Sequence, residues 1–413
     1  MSFSGYSATS NRQKKLQLQQ VLKRDADPYQ NQTPFRALER KFKRRVPPPD
    51  FSEVIDFQNL DKAPEEYRSR IKRVELSEKL YGPLFGSVSE ESSARNFGYT
   101  VEGFTGFIFI SNPFSGRAQR NFIRESLREF TKPPYISNLD THYVIPSCGV
   151  WNLFEQESKG QLNETSEEYF VPLKLDPTKV KEGKQDAKLI DTSSATAGYQ
   201  YNGLNEKGET IRNTHLEVLP PHELVKRLRW ITFGYQYHWP TKAYIWNEAV
   251  CVPPALAELT RAVVGAIDGV KFEGESSWVH NYSKDDYKPE GGVFNFYQPR
   301  DSLMGHIDQS EPNLTAPLIS YSFGCNGVFL MGGADRNTPP IPVLLRSGDI
   351  MAMCGPCRKA FHGVPRIIED TLPEYLTSLA SDLDPDEVQD WPVFASYLTT
   401  TRINANVRQV VAI

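Results

Sequence analysis

Apolar residues along this chain follow two periods, and the period changes with position. Phe107–Ile110, a β-branched and aromatic run stopped by Ser-Asn-Pro, predicts a short buried strand. Residues 117–131 follow with Phe122, Ile123, Leu127 and Phe130 at helical spacing, which predicts an amphipathic helix. Residues 156–222 are polar and aperiodic, rich in Lys, Glu, Gly, Ser and Thr, and are expected to form a long surface insertion. The segment Leu224–Trp246 is aromatic, with Trp230, Phe233, Tyr235, Tyr237, Trp239, Tyr244 and Trp246. Beyond Gly291 short strands alternate with turns: Val293–Tyr297, Leu303–Asp308, Leu318–Phe323, Val328–Met331, Val343–Leu345, Ile350–Met353 and Ala405–Val411. Gly332-Gly333, Ser347-Gly348-Asp349 and Gly355-Pro356 supply the turn chemistry. Evenly spaced short strands of this kind predict a sandwich or jelly roll.

Composition narrows the class. The chain has 413 residues, 39% hydrophobic and 24% charged, ordinary for a globular protein and unlike collagen, coiled-coil or wholly disordered sequences. No apolar run approaches the roughly 18 residues of a membrane span, so no membrane partner is expected. Five cysteines, an odd number, argue against a disulfide scaffold and for a reducing compartment.

Charge is unevenly placed. Residues 1–50 hold eleven Lys/Arg against four acids, a net +7, while the remainder carries −11. Residues 1–50 are therefore expected to be a basic, flexible arm suited to polyanions or to targeting. The first 24 residues lack acids, as mitochondrial transit peptides do. A second cluster, Arg40 to Arg45, runs into Pro47-Pro-Pro49 and has the form of a nuclear-localisation or nucleic-acid patch. The expected compartment is nucleus or cytoplasm, with the mitochondrion as alternative.

Candidate chemistry sits in the strand-rich part. His306-Ile307-Asp308 lies on a predicted strand, where side chains two apart share a face. His362 stands beside the turn-like Gly363-Val-Pro365. Two His and one carboxylate on one face of a metal leave open positions, the arrangement used by non-haem Fe(II) oxygenases. Arg402 and Arg408, six apart on one strand, form with Asn404 and Asn406 a polar, cationic row in an apolar sheet. Such a row needs an anion, and Arg suits a bidentate carboxylate. Asn295 and Tyr297 add hydrogen-bonding groups at strand spacing. Together these describe a pocket for a small dicarboxylate beside a metal. Cys354-Gly-Pro-Cys357 has no second Cys-x-x-Cys to pair with and is expected to be a turn. His142, His215, His222, His238 and His280 show no ligand spacing.

The motifs N-F-Y-Q-P-R-D-S-L-M-G-H-I-D-Q-S-E, P-L-I-S-Y-S-F-G, F-L-M-G-G, S-G-D-I-M, H-G-V-P-R and R-I-N-A-N-V-R occur in the order of the AlkB family. That family comprises Fe(II)/2-oxoglutarate dioxygenases that oxidise methyl groups on nucleic acids. Upstream segments at 54–57, 106–114, 137–142 and 228–237 resemble its eukaryotic homologue 1 branch, so the likeness runs with gaps from about residue 50 to 413. The resemblance implies an α+β, mainly β fold: a double-stranded β-helix core over 291–413, with an N-terminal extension and nucleotide-recognition lid over 51–290. It implies Fe(II), 2-oxoglutarate and O2, with His306, Asp308 and His362 as iron ligands. Arg402 would hold the distal carboxylate of 2-oxoglutarate, and Asn295, Tyr297, Asn404 and Arg408 would complete that pocket. Asn406 replaces the threonine usual in the family's R-x-N-x-T-x-R pattern, leaving a polar inward side chain.

The implied substrate is methylated tRNA or DNA, bound by a monomer. A histone or other protein substrate, or an abasic-site lyase, is the alternative. Trp230, Tyr235, Tyr237 and Tyr244 are candidates to stack an extruded base, with Arg229 and Lys242 steering phosphate. Arg358, Lys359 and Arg366 are candidate phosphate contacts. Two segments depart from the animal branch, much of 156–222 and about 274–287, and both are expected to flank the substrate entrance.

Overall fold

The computed structural model describes residues 32–86, 95–174, 218–238, 243–279 and 282–411. Fourteen strands run in chain order among them. These are β1 (Ile71–Leu80), β2 (Arg95–Val101), β3 (Phe107–Ile110), β4 (Ile136–Ser137), β5 (Trp230–His238), β6 (Ala243–Val250) and β7 (Gly291–Tyr297). Then follow β8 (Leu303–His306), β9 (Leu318–Gly324), β10 (Asn326–Met331), β11 (Ile341–Leu345), β12 (Ile350–Met353), β13 (His362–Ile368) and β14 (Arg402–Arg408). The main helices are α1 (Pro34–Lys43), α2 (Gly116–Arg128), α3 (Val150–Ser158), α4 (Pro254–Ile267) and α5 (Pro385–Leu398).

The strands form two antiparallel sheets. The major sheet runs β1-β2-β3-β12-β9-β14-β7-β5-β4, with β6 on β5; the minor sheet runs β11-β10-β13-β8. Strands from both sides of residue 290 share the major sheet, since β3 pairs with β12 and β5 with β7.

The continuous apolar runs make sense once both faces of the major sheet are seen to be covered. In β3 and β12, Ile108, Ile110, Ile350 and Ala352 face the helices, while Phe107, Phe109, Met351 and Met353 face the minor sheet. The interlayer core joins these to Phe329, Met331, Val343 and Ile367 of the minor sheet. This is the expected jelly roll, with helices packed outside the major sheet.

The minor sheet's outer face is covered by α1, where Phe35 and Phe42 pack on Val328 and Leu330. A Cβ on Gly305 would lie 2.2 Å from the Phe35 ring, and one on Gly332 would lie 2.8 Å from it, so the two glycines make the slot for that ring. The buried Glu39 carboxylate accepts from Gly305 N at 2.7 Å. Thr33 caps the helix through Arg36 N. The expectation of a flexible arm over 1–50 is therefore corrected for its second half. Its two phenylalanines and Glu39 repeat at helical spacing and bury one face, leaving the basic residues outside. Residues 1–31 lie outside the described residues.

The polar insertion is also corrected at its edges. Leu162, Tyr169, Val171 and Leu219 are buried in the helix-side core, because apolar side chains dispersed in a polar run still find one face. Residues 175–217 lie outside the described residues. Trp278, Val279, Tyr282 and Tyr287 of the 274–287 segment fill that same core, with Tyr287 donating to Pro317 O. These four side chains give the segment a packing role, and residues 280–281 lie outside the described residues.

Candidate metal centre

Strand pairing brings the two histidines together. His362 opens β13 directly opposite His306, the last residue of β8, and their rings lie 4.4 Å apart between centroids. The strand stops at His306, so Asp308 is presented by the following loop and not by a strand as expected. Asp308 Oδ1 lies 3.6 Å from His306 Nε2, and Oδ2 lies 4.0 Å from His362 Nε2. One ligand atom from each of the three fits within 4.8 Å of the others.

Each imidazole is fixed from behind. His306 Nδ1 is 2.8 Å from Met304 O, and His362 Nδ1 is 3.1 Å from Ala360 O. A carbonyl only accepts, so Nδ1 carries the proton and both Nε2 lone pairs face Asp308, as a metal requires. Burial and the neighbouring His306 push His362 down to about 4, keeping it neutral. Burial alone would raise the Asp308 carboxyl, but the Arg408 guanidinium beside it holds it well below the usual range.

The arginine row lies between the sheets. Ile403, Ala405 and Val407 belong to the helix-side core, so the alternate residues Arg402, Asn404, Asn406 and Arg408 face the minor sheet. Asn404 and Asn406 are the two residues of β14 that are not fully buried, and Asn295 is the one such residue of β7. Solvent therefore reaches the space between the sheets at these three side chains. Asn295 Nδ2 donates to Asn404 Oδ1 at 3.4 Å, and Asn404 Nδ2 donates to Ser320 Oγ and Tyr321 O. Tyr297 stands opposite Arg402 in register. Arg402 is 1% exposed, and Nη2 donates to Ser322 Oγ at 2.8 Å. Its Nε and Nη1 have no partner. Burial pushes its guanidinium down to about 10.

Two imidazoles and a carboxylate that converge fit Fe(II), and a buried guanidinium with two unpartnered nitrogens, on the same face of β14 as the Arg408 that meets Asp308, fits a dicarboxylate. The hard oxygen and borderline nitrogen donors suit the ion, and the two bare N–H groups suit a carboxylate.

Arg408 behaves differently from Arg402. Its Nη1 lies 3.2 Å from Asp308 Oδ2 and donates to Glu311 Oε1, and Nη2 donates to Asn406 Oδ1. Asn406 thus steadies an arginine, a task its polar head performs.

Two expected phosphate contacts are corrected. Arg358 is fully buried, with Nη1 donating to Asp308 O at 2.6 Å and Nη2 to Glu311 Oε2 at 3.1 Å. Arg366 lies on the outer face, donating to Arg44 O of the chain leaving α1. The register of β13 shifts between Gly363 and Arg366, around Pro365, whose missing N–H breaks the ladder. The extra residue turns Arg366 away from the face that carries His362. The H-G-V-P-R segment is consequently the start of a strand and not a turn. Arg229 is bound to Asp301 at 2.9 Å, and Lys242 lies outside the described residues. Lys359 remains exposed.

The aromatic segment forms the β5–β6 hairpin. Tyr237 and Tyr244 are a cross-strand pair, 5.2 Å between centroids, and Tyr235 packs on the exposed Trp246. Tyr237 Oη is 3.0 Å from Ser310 Oγ, and Tyr244 Oη donates to Glu311 Oε1 at 2.9 Å, so the hairpin stands beside the metal loop. Trp230 lies at the other end of β5, opposite Asn295 in register. Cys354 precedes and Cys357 lies within a 3-10 turn, Gly355–Lys359, in keeping with the expected turn; both thiols are buried.

Sequence reasoning passed over Glu311, although it ends the quoted H-I-D-Q-S-E motif three residues after Asp308. A carboxylate with no spacing partner gives little signal until the fold supplies two arginines.

A family model described as the 2OG-Fe(II) oxygenase superfamily matches residues 179–408. The mouse protein named nucleic acid dioxygenase ALKBH1 is 30% identical over 92% of this chain and 84% of its own length. The Arabidopsis thaliana protein named DNA N(6)-methyladenine demethylase ALKBH1A is 28% identical over 94% of this chain and 97% of its own. The Schizosaccharomyces pombe protein named tRNA demethylase abh1 is 37% identical over 51% of this chain and 62% of its own. With more than half of its residues inside the family match, and a 30% identical relative along almost its whole length, this chain belongs to the 2OG-Fe(II) oxygenase superfamily, in its AlkB-like homologue 1 branch.

Proposed function

We propose that this chain is an Fe(II)- and 2-oxoglutarate-dependent dioxygenase that demethylates bases in nucleic acid, tRNA or DNA. One observation carries the chemistry: His306, Asp308 and His362 converge, Asp308 meets Arg408 of β14, and the same inward face of that strand carries a buried Arg402 with two donors unpartnered. The names of the relatives, which act on DNA and tRNA, support the substrate class.

His306, Asp308 and His362 would hold Fe(II), and Arg402 would grip the far carboxylate of 2-oxoglutarate through Nε and Nη1. When bound, Fe(II) with 2-oxoglutarate and dioxygen supplies the oxidation of a methyl C–H bond, releasing succinate, CO2 and, from an N-methyl group, formaldehyde. Met304 O and Ala360 O hold the imidazole tautomers. Arg408 and Arg358 orient Asp308 from its side chain and its carbonyl. Asn295, Tyr297 and Asn404 line the cosubstrate cavity. The hairpin aromatics Tyr235, Tyr237 and Tyr244 offer a platform for an extruded base, whose ring faces stack on such side chains.

The test is succinate release from protein supplied anaerobically with Fe(II), then with 2-oxoglutarate, oxygen and methylated tRNA or DNA, with nucleosides read by mass spectrometry. Loss of one methylated nucleoside in step with succinate, abolished in His306→Ala, supports the proposal. Succinate without any nucleoside change would overturn the substrate class.

A further inference from the structure

Glu311 is a hub that the iron chemistry itself does not call for. Its side chain is 1% exposed and each oxygen is engaged. Oε1 accepts from Arg408 Nη1 and from Tyr244 Oη at 2.9 Å, and Oε2 accepts from Arg358 Nη2 at 3.1 Å. Those two arginines are the groups that hold Asp308, Arg408 at its carboxylate and Arg358 at its backbone carbonyl. A second tie, Tyr237 Oη to Ser310 Oγ at 3.0 Å, joins the same hairpin to the residue before Glu311. Tyr237 and Tyr244 face each other across β5 and β6, so the hairpin grips the loop 308–311 at two consecutive residues from a single rung.

We infer that Glu311 is a positioning residue through which the seating of the aromatic hairpin sets the orientation of Asp308 at the metal. The inference rests on the proposed function, in that the hairpin is taken as the surface that meets the base. Arg408 Nη1 is shared between Asp308 and Glu311, so a shift of the Glu311 carboxylate changes how the guanidinium meets Asp308. Tyr244 is the only partner of Glu311 among these three that belongs to the hairpin. When a base presses on the hairpin, the displacement reaches Glu311 through the Tyr244 hydroxyl, and Asp308 through Arg408. In such a site binding of the base and binding of the metal are linked and reciprocal.

The decisive variant is Tyr244→Phe, which removes one hydroxyl and leaves the ring and its contacts. Glu311→Gln is the obvious companion, but it weakens the counter-charge for two buried arginines and threatens folding. Mn(II) affinity is measured by calorimetry without oxygen, and the Mn(II) electron paramagnetic resonance spectrum is recorded with 2-oxoglutarate, both before any nucleic acid is added. Tyr244→Phe is expected to bind Mn(II) about tenfold more weakly, the scale of outer-shell substitutions at metal sites. It is also expected to show an altered spectrum while melting within a few degrees of the wild type. Tyr237→Phe, which cuts the tie to Ser310, is expected to give a smaller change of the same kind. Mn(II) affinity and spectrum unchanged in Tyr244→Phe would overturn the inference. That readout contains no nucleic acid, so a wild type that oxidises no methylated base would end the proposed function and leave this result standing.

Discussion

Arg402 donates to Ser322 Oγ at 2.8 Å and leaves its other two nitrogens bare, although the residue is 1% exposed. A buried guanidinium is tolerated with so few partners where a ligand completes it. Arg402→Lys keeps the charge and loses the fork. With about 1.5–3 kcal/mol for a charge-assisted contact, 2-oxoglutarate should bind about ten- to hundredfold more weakly to the Mn(II)-loaded variant. Calorimetry decides, and an unchanged affinity would remove Arg402 from the cosubstrate site.

Phe35 occupies the slot between Gly305 and Gly332, and Gly305 precedes His306 in β8. Phe35→Ala should cost about 3–5 kcal/mol of stability, seen as a lower urea midpoint. A loss below about 1 kcal/mol would mean that α1 is only loosely seated on the minor sheet.

Asp349 carries a pH signature. Its carboxylate accepts from Arg346 N, Asn112 N and Gln58 Nε2, yet burial pushes its pKa from 3.8 to about 7. Between about pH 4 and 7 the folded protein therefore binds more protons here than the unfolded chain, and stability from this group falls as pH rises through that window. Asp349→Asn should flatten that slope. Denaturant titrations at several pH values measure it, and a slope identical to the wild type would show that the group ionises in the fold without penalty.

Burial pushes the Cys354 thiol up to about 12 and holds the Cys357 thiol well above the usual thiol range, whereas Cys251 is exposed. Thiol reagents should label Cys251 in the native protein and reach Cys354 and Cys357 only on unfolding. Rapid native labelling of either would contradict the closed turn.

The candidate metal ligands are legible because residue type and the H-x-D spacing single out His306 and Asp308, although a loop and not the expected strand presents Asp308, and because His362 needs only one pairing to join them. The polar row on β14 is legible because period two places Arg402, Asn404, Asn406 and Arg408 on one face whatever the sheet order. What eluded the pattern depends on exceptions to period two or on distant partners. The shift around Pro365 reverses the side on which Arg366 emerges, and no local signal fixes a bulge. Arg358 reads as a phosphate contact beside Lys359 because its two acceptors, Asp308 O and Glu311, lie some fifty residues away. The helix α1 was hidden by its basic composition, which describes its outer face and not Phe35 and Phe42 beneath.

The place of β14 in the major sheet has a consequence for synthesis. It is the last strand in chain order, yet it lies between β7 and β9, in the middle of the sheet. A nascent chain can assemble the minor sheet and both flanks of the major one and still have a gap at the centre, with the edges of β7 and β9 unpaired. Unpaired edges of that kind attract foreign strands. Until β14 emerges, a growing polypeptide therefore exposes that open seam, and a chain cut short before Arg402 keeps it.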